Sequence, residues 1–284
     1  MRKGILTPER ERLKLVFSAI MLHRNILPIL LLVLFTLMSC EEDDNIIMVD
    51  AKKLETKINL DAIPIIAHRG CWSGDSIPQN SLAAFRKALE LNILGTEFDV
   101  RQTLDGKLVI NHGVAFDSMT ISKSTYEDLC QHRLGNGESI PLFEDFLRVY
   151  AATDTSVLMV VELKSCNIDE VLALLEQYDI LAHCLFISFS RGYCDQLVGA
   201  GYGNHVLYLG SNMSPKDVRE AGYAGVDFSE KVFQAHPAWL EEAQGLGLKV
   251  GVWTPNSLPA IEEYLSKKVI VTTDKVKSYI TTIK

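Results

Sequence analysis

Residues 95–112, which read GTEFDVRQTLDGKLVINH, hold the pattern that decides the fold. The first six are apolar or small apart from two carboxylates, Glu97 and Asp99, as is typical of a buried strand with polar side chains on one face. Asp105-Gly106 is a strong hairpin-turn signal, and the gap between the two apolar runs is too short for a parallel crossover. The segment therefore predicts a β-hairpin that extends one strand and returns His112 to a level opposite Asp99.

This strand belongs to a longer alternation of strands and helices that begins at Ile63. The strand candidates are Ile63–Ala67, Gly95–Val100, Val157–Leu163, Cys184–Phe189, His205–Leu209, Gly225–Phe228, Lys249–Trp253 and Val269–Thr272. The helix candidates are Ser81–Leu91, Leu142–Ala151, Ile168–Tyr178, Arg191–Ala200, Ser214–Ala221, Pro237–Leu246 and Leu258–Leu265. Continuous apolar strands between helices indicate a parallel sheet covered on both faces. Eight of them predict a (β/α)₈ TIM-type barrel, with a doubly wound open sheet as the alternative, and the polar residues 113–139 predict a small loop or lid at its C-terminal face.

The N-terminal forty residues differ in character from the barrel segment. Ile26–Met38 is a nearly continuous apolar run that suits a signal-peptide core better than a membrane span. Leu37-Met38-Ser39-Cys40 resembles a bacterial lipobox, in which Cys40 is lipidated and becomes the mature N-terminus; an uncleaved anchor helix is the alternative. We therefore expect a lipoprotein on the bacterial cell envelope, periplasmic or on the outer-membrane surface, with three parts: a signal peptide over 1–40, an acidic tether over 41–60 and the barrel domain over 61–284.

Charge and cysteine usage exclude two classes of function. The chain has 28 Lys and Arg against 36 Asp and Glu, a formal net charge of −8. Loss of residues 1–39, which hold six basic and two acidic side chains, would make it −12, and such a surface repels nucleic acids. The five cysteines besides Cys40 show no CxxC spacing, which argues against a zinc site and favours free thiols.

Three acidic residues on two strands predict a metal site. Glu97 and Asp99 share one face of a strand, and two buried neighbouring carboxylates repel unless a cation lies between them. Glu162, at the end of another apolar strand, would be the third ligand, or it would simply pair with Lys164. Carboxylate oxygens favour Mg²⁺ or Ca²⁺ over a soft metal.

Histidines and cations beside these acids suit phosphoryl chemistry. His68 and His112 follow apolar strands, and imidazoles titrate near neutrality, as proton transfer requires. Arg69 offers a bidentate fork to a phosphate oxygen, or it pairs with the carboxylates. Lys164 shares a face with Glu162, from which it would reach the substrate phosphate.

Taken in order, the motifs of the chain resemble the glycerophosphodiester phosphodiesterase family, within the barrel phosphodiesterases that include phosphatidylinositol phospholipases C. The motifs are His68-Arg69-Gly70, Pro78-Gln79-Asn80-Ser81, Glu97-Phe98-Asp99-Val100, Thr103–Val109, Asn111-His112, Ile140–Glu144, Glu162-Leu163-Lys164, Val252–Asn256 and Thr272-Thr273-Asp274. The resemblance implies that the metal ligands are Glu97, Asp99 and Glu162. It implies that the general acid and base are His68 and His112. It also implies phosphate contacts from Arg69 and Lys164, and a pocket wall at Trp253.

Two positions depart from the family pattern. Gln79-Asn80-Ser81 stands where the family usually has Glu-Asn-Thr, and His112-Gly113 stands where it usually has His-Asp. Both changes remove an acid near the site but no metal ligand or catalytic histidine. Asn80 would cap the following helix or contact a ligand.

The expected function is metal-dependent hydrolysis of a glycerophosphodiester to an alcohol and glycerol 3-phosphate. Two alternatives stay open: a phospholipase-like lyase that releases a cyclic phosphate, and a non-catalytic surface binding protein on a decayed barrel. The sequence leaves the alcohol, the choice of Mg²⁺ or Ca²⁺ and the oligomeric state undecided.

Overall fold

A closed barrel of parallel strands forms the fold. The structure is a computed structural model that describes residue 59 and residues 61–283. Its strands are β1 (Ile63–Ala67), β2 (Ile93–Gln102), β3 (Leu108–Ile110), β4 (Ala115–Phe116), β5 (Met119–Thr120), β6 (Leu158–Ser165), β7 (Cys184–Ser188), β8 (Val206–Tyr208), β9 (Gly225–Ser229), β10 (Lys249–Trp253) and β11 (Ile270–Thr273). All but β3, β4 and β5 belong to the barrel, in which each strand runs parallel to the next and β1 pairs with both β2 and β11. The predicted (β/α)₈ barrel is confirmed, and the open-sheet alternative is wrong.

Helices follow the strands and cover the barrel. They are α1 (Leu82–Leu89), α2 (Tyr126–Leu129), α3 (Phe143–Ala151), α4 (Ile168–Gln177), α5 (Arg191–Gly199), α6 (Pro215–Glu220), α7 (Glu230–Ala235), α8 (Trp239–Gly245), α9 (Leu258–Ser266) and α10 (Val276–Ile283). Five of them begin after a serine whose hydroxyl accepts a backbone N–H of the first turn: Ser81, Ser190, Ser214, Ser229 and Ser257. Each of these serines lies in the segment that follows a barrel strand and satisfies a backbone donor at the start of the next helix. Strand ends and helix starts therefore share one face of the barrel.

Two apolar layers hold the barrel together. The larger lies between strands and helices, where the rings of Phe85, Phe98 and Phe146 contact one another. The smaller fills the barrel interior with Ile66, Leu158, Val160, Leu185, Ile187, Leu207 and Leu209. Alternate residues of each strand point to these two layers. A polar side chain that points inward therefore lies among these interior side chains or at the open end of the barrel above them.

The predicted hairpin is present, with a register shifted by one residue. β2 and β3 pair antiparallel, with Val100 opposite Ile110, and the backbone N–H of Asn111 donates to Asp99 O at 3.0 Å. Asn111, and not His112, thus lies opposite Asp99. The turn is a three-residue loop centred on Asp105, because Thr103 N–H donates to Lys107 O at 2.9 Å and Gly106 adopts a φ of +79°, as three-residue hairpins require.

Residues 113–139 form a small satellite unit beside the hairpin. β4, β5 and α2 enclose a separate apolar cluster with Phe116, Ile121 and Leu129. The carboxylate of Glu138 accepts the backbone N–H groups of Leu82 and Ala83 and so ties the unit to the start of α1. None of these residues is among those that line the cavity at the barrel mouth. The predicted small insertion is present, and its action as a lid stays a prediction.

The predictions for the N-terminus, lipidation at Cys40 included, lie outside the described residues. Within residues 61–283, no helix has the length and apolar character needed to cross a membrane. The expectation of free thiols is met at Cys71, Cys130, Cys166, Cys184 and Cys194.

Candidate active site

One cavity of about 140 Å³ opens at the carboxyl ends of the barrel strands. Its polar wall is formed by His68, Arg69, Glu97, His112, Glu162, Lys164, Asp227 and Thr272. Its apolar wall is formed by Ile187, Phe189, Leu209 and Trp253. The structure therefore brings together both histidines, both cations and Trp253 of the predicted site, with two of the three predicted metal ligands on the cavity surface.

The three acids form a compact buried cluster. One oxygen from each of Glu97, Asp99 and Glu162 lies within 4.8 Å of the others, and the side chains come from the neighbouring strands β2 and β6. Glu97 is 1% exposed, and its Oε1 has no hydrogen-bond partner among the described residues. A buried carboxylate oxygen without a partner is costly, so this donor set fits a hard divalent cation.

The pKa values of the three acids are shifted in different directions. Burial, followed by the charges of Asp99 and Glu162, raises the pKa of Glu97 well above its ordinary value. Burial and the charge of Asp99 raise the pKa of Glu162 to about 8. Burial alone would also raise the pKa of Asp99, but Lys164 and a hydrogen bond from Asn80 outweigh it and lower this pKa. Of the three acids in the cluster, Asp99 is therefore the one whose ionised form its neighbours favour.

Asp99 is fixed by groups behind and above it. Asn80 Nδ2 donates to Asp99 Oδ2 at 2.8 Å, and Lys164 Nζ lies 3.3 Å from Asp99 Oδ1 and 2.5 Å from Glu162 Oε1. Neither Asn80 nor Asp99 lines the cavity. The helix cap predicted for Asn80 belongs to Ser81, and the Asn80 amide orients an acid of the cluster.

The β1–α1 loop shapes the Arg69 position. Arg69 adopts a φ of +56° and Gly70 a φ of +83°. A Cβ at Gly70 would lie 2.8 Å from Ala84, so only glycine fits this approach to α1. The turn aims the Arg69 N–H at Glu97 Oε2, at 2.7 Å, while Arg69 Nη1 donates to Gln79 Oε1 at 2.6 Å. The neutral Gln79 thus orients the guanidinium without neutralising it.

His68 is held by Asp274 and Asn256, two residues without a role in the site predicted from the sequence. His68 Nδ1 lies 2.7 Å from Asp274 Oδ1, and Asn256 Nδ2 donates to Asp274 Oδ2 at 2.7 Å. Burial opposes ionisation of Asp274, but the hydrogen bond and charge of His68 prevail and lower its pKa to about 2. An ionised Asp274 fixes the His68 proton on Nδ1 and leaves Nε2 for the cavity. The motifs Val252–Asn256 and Thr272-Thr273-Asp274 were the available signal.

His112 follows the hairpin strand β3 and lines the same cavity as the acidic cluster. Arg101 holds this turn because its Nη2 donates to His112 O at 2.8 Å. Burial lowers the pKa of His112 below its ordinary 6.5, and the charge of Asp99 opposes this effect. A neutral imidazole beside a carboxylate cluster can accept a proton.

Fold and site together define a (β/α)₈-barrel protein with a carboxylate cluster, two histidines and two cations at the carboxyl ends of its strands. The profile of the glycerophosphoryl diester phosphodiesterase family matches residues 68–188. A glycerophosphodiester phosphodiesterase from Parabacteroides distasonis, known from a crystal structure, superposes with a TM-score of 0.72 at 29% identity, covering 77% of this chain and 95% of that chain. This profile match and the structural similarity support the glycerophosphoryl diester phosphodiesterase family for this chain.

Curated relatives show the same similarity over shorter stretches. A glycerophosphodiester phosphodiesterase from Caldanaerobacter subterraneus is 26% identical over 145 residues, which is 45% of this chain. A probable glycerophosphodiester phosphodiesterase 2 from Mycobacterium tuberculosis is 39% identical over 88 residues, which is 29% of this chain. The matches span 58% and 33% of the lengths of these two relatives.

Proposed function

We propose that this protein hydrolyses glycerophosphodiesters to an alcohol and glycerol 3-phosphate with the help of a divalent cation. The observation that carries the proposal is the cluster of Glu97, Asp99 and Glu162, which lies in one cavity mouth with His68 and His112. The family names of the relatives support the same reaction class.

The acids and the cationic side chains of the site have different roles in this proposal. Glu97, Asp99 and Glu162 would hold the cation, which would neutralise the phosphate charge and lower the pKa of the attacking oxygen. Arg69 and Lys164 would bind the phosphate oxygens, with Arg69 already oriented by Gln79.

Proton transfer falls to the two histidines. One would take the proton of the attacking oxygen, and the other would donate a proton to the departing alcohol oxygen. His68 presents Nε2 because Asp274 occupies Nδ1. The attacking oxygen is water in a hydrolase, and it is the glycerol 2-hydroxyl in a lyase.

The test is a panel of glycerophosphodiesters with choline, ethanolamine, glycerol or inositol as alcohol, each assayed with Mg²⁺ and with Ca²⁺. We expect release of glycerol 3-phosphate that stops on chelation and resumes when the cation returns. Glu97→Ala should lose at least about 10³-fold in kcat/KM, because removing a ligand removes the cation, while the exposed Glu90→Gln serves as the matched control. Full turnover by the metal-stripped protein would contradict the mechanism.

Two other outcomes would replace the proposal. A lasting cyclic phosphate, detected by ³¹P NMR, would assign the lyase reaction. Absence of turnover across the panel with both cations would favour a binding protein on a decayed barrel.

A further inference from the structure

Asp227 is a buried carboxylate in the cavity that the proposed chemistry does not use. It lies on β9 and is 2% exposed, yet it lines the same cavity as the acidic cluster. Its Oδ1 has no hydrogen-bond partner among residues 61–283. Leaving a carboxyl oxygen unpartnered in a barrel interior costs folding free energy, so its presence calls for a partner that a ligand brings.

The neighbouring strand β10 leaves space for this carboxyl group. Asp227 pairs with Gly251 on β10, and a Cβ at Gly251 would lie 2.6 Å from Asp227 Oδ1. The absent side chain at Gly251 is therefore what makes room for the carboxyl. Trp253 Nε1 donates to the backbone oxygen of Asp227 at 3.0 Å, which holds the indole against the same strand.

Asp227 also lies across the barrel from the proposed phosphate site. In the strand order, β9 is four strands from β2 in either direction, so the two strands face each other through the interior. Phosphate bound at Arg69, Lys164 and the acids would direct one substituent of the diester toward the β9 wall. That wall is apolar at Ile187, Leu209 and Trp253, and Asp227 is the carboxylate within it.

A hydrogen-bond donor on that substituent would supply the missing partner. The lysine and arginine that line the cavity, Lys164 and Arg69, are engaged with the acids and Gln79. The cavity measures about 140 Å³, which restricts the substituent to a small group. On a glycerophosphodiester, the donors of suitable size are the glycerol hydroxyls.

We propose that Asp227 is a specificity-determining residue that accepts hydrogen bonds from the hydroxyls of a glycerol group bound through its phosphate. The inference rests on the proposed function for the identity of the phosphate ligand. The inference goes beyond the proposed function because it assigns the residue that distinguishes glycerol phosphate from an alkyl phosphate of the same charge.

The experiment measures binding and needs no turnover. The metal-loaded protein is titrated calorimetrically with sn-glycerol 3-phosphate and with propyl phosphate, which keeps the phosphate and lacks both hydroxyls. Wild type should bind glycerol 3-phosphate about 10- to 100-fold more tightly, the range expected for two hydrogen bonds to a buried carboxyl acceptor. Asp227→Ala should reduce this preference to less than about 3-fold by weakening glycerol 3-phosphate alone.

Two further variants separate recognition from folding. Asp227→Asn keeps the shape and one acceptor oxygen, and should retain part of the preference. Gly251→Ala displaces the carboxyl and should lose the preference with Asp227 still present. Because each Asp227 variant removes a buried unpartnered acid, its melting temperature should match or exceed that of wild type.

The outcomes distinguish the inference from the proposed function. Equal loss of both ligands in Asp227→Ala and Asp227→Asn, or an unchanged preference in both, would overturn the role of Asp227. A preference that depends on Asp227, in a protein without phosphodiesterase turnover, would uphold the inference while the proposed function fails.

Discussion

Substitution of Asp274 by Asn tests the pair that holds His68. The Asp274 side chain is 21% exposed, and His68 lowers its pKa from the ordinary 3.8 to about 2. Because one pKa unit corresponds to about 1.4 kcal/mol, the ionised Asp274 contributes about 2 kcal/mol to the free energy of unfolding. Asp274→Asn should lose this contribution at neutral pH.

The pH dependence follows from the direction of the shift. A carboxyl whose pKa is lower in the folded state contributes its full stability above the unfolded pKa of about 4, and the contribution disappears as pH falls toward 2. The difference between wild type and Asp274→Asn should therefore be about 2 kcal/mol at pH 7, and it should shrink between pH 5 and pH 3.

Urea denaturation at pH 7, 5, 4 and 3 measures this difference, with Glu241→Gln as the control for loss of an exposed carboxylate. A difference below about 0.5 kcal/mol at pH 7, the scatter expected of a surface substitution, would refute the assignment. So would a larger difference that stays constant with pH. If the proposed function holds, kcat should also fall by about 10²-fold or more, because His68 loses the partner that fixes its proton on Nδ1.

Substitutions at four further positions test other parts of the structure. Asn80→Ala should cost about 2–4 kcal/mol, since it removes the hydrogen bond to Asp99 and puts alanine at a φ of +60°; Asn80→Gly, free of the backbone strain, should cost about 1 kcal/mol less in urea denaturation, and equal losses would contradict this. Burial lowers the pKa of His205 to about 4, so the unfolded state binds more protons than the folded state below pH 6.5. The free energy of unfolding of wild type should therefore fall by about 3 kcal/mol between pH 7 and pH 4 on account of this residue. His205→Gln should remove this part of the pH dependence, and an unchanged pH profile would oppose the reasoning. Gly225→Ala should abolish soluble expression because its Cβ would lie 2.1 Å from Lys249 O, whereas Gly245→Ala, with open space around its Cβ, should raise stability by up to about 1 kcal/mol; similar behaviour of the two variants would refute the packing argument.

The fold was predictable because each barrel strand is buried on both faces and each helix on one. That difference appears in the sequence as continuous apolar runs separated by amphipathic segments. The observed strand bounds differ from the predicted ones where a neighbouring helix accepts a backbone N–H that was expected to pair in the sheet. Val269 was expected to begin the last strand, but its N–H donates to Tyr264 O at the end of α9, so pairing starts at Ile270.

The hairpin error has a definite geometric origin. A two-residue turn at Asp105-Gly106 would put His112 opposite Asp99, and a three-residue loop centred on Asp105 puts Asn111 there. Both loops suit the same residues, because glycine supplies the positive φ that either one needs. Sequence alone therefore places His112 beside the acids to within one residue, and the turn type decides the rest.

Asp274, Asn256 and Asp227 were missed for a different reason: each depends on partners far away in the chain. Asp274 lies 206 positions from His68, and Asp227 is defined by an absent side chain at Gly251 on the next strand. The sequence signal for Asp227 is the alternation of inward and outward side chains along each strand. Gly225, Asp227 and Ser229 share one face of β9, as Glu162 and Lys164 share one face of β6. In a barrel whose interior is otherwise filled with Leu, Ile and Val, a carboxylate at an inward position is costly. Alternation within each strand, applied to every charged residue and not only to paired ones, identifies Asp227 as an inward carboxyl group, and its Oδ1 has no hydrogen-bond partner among residues 61–283.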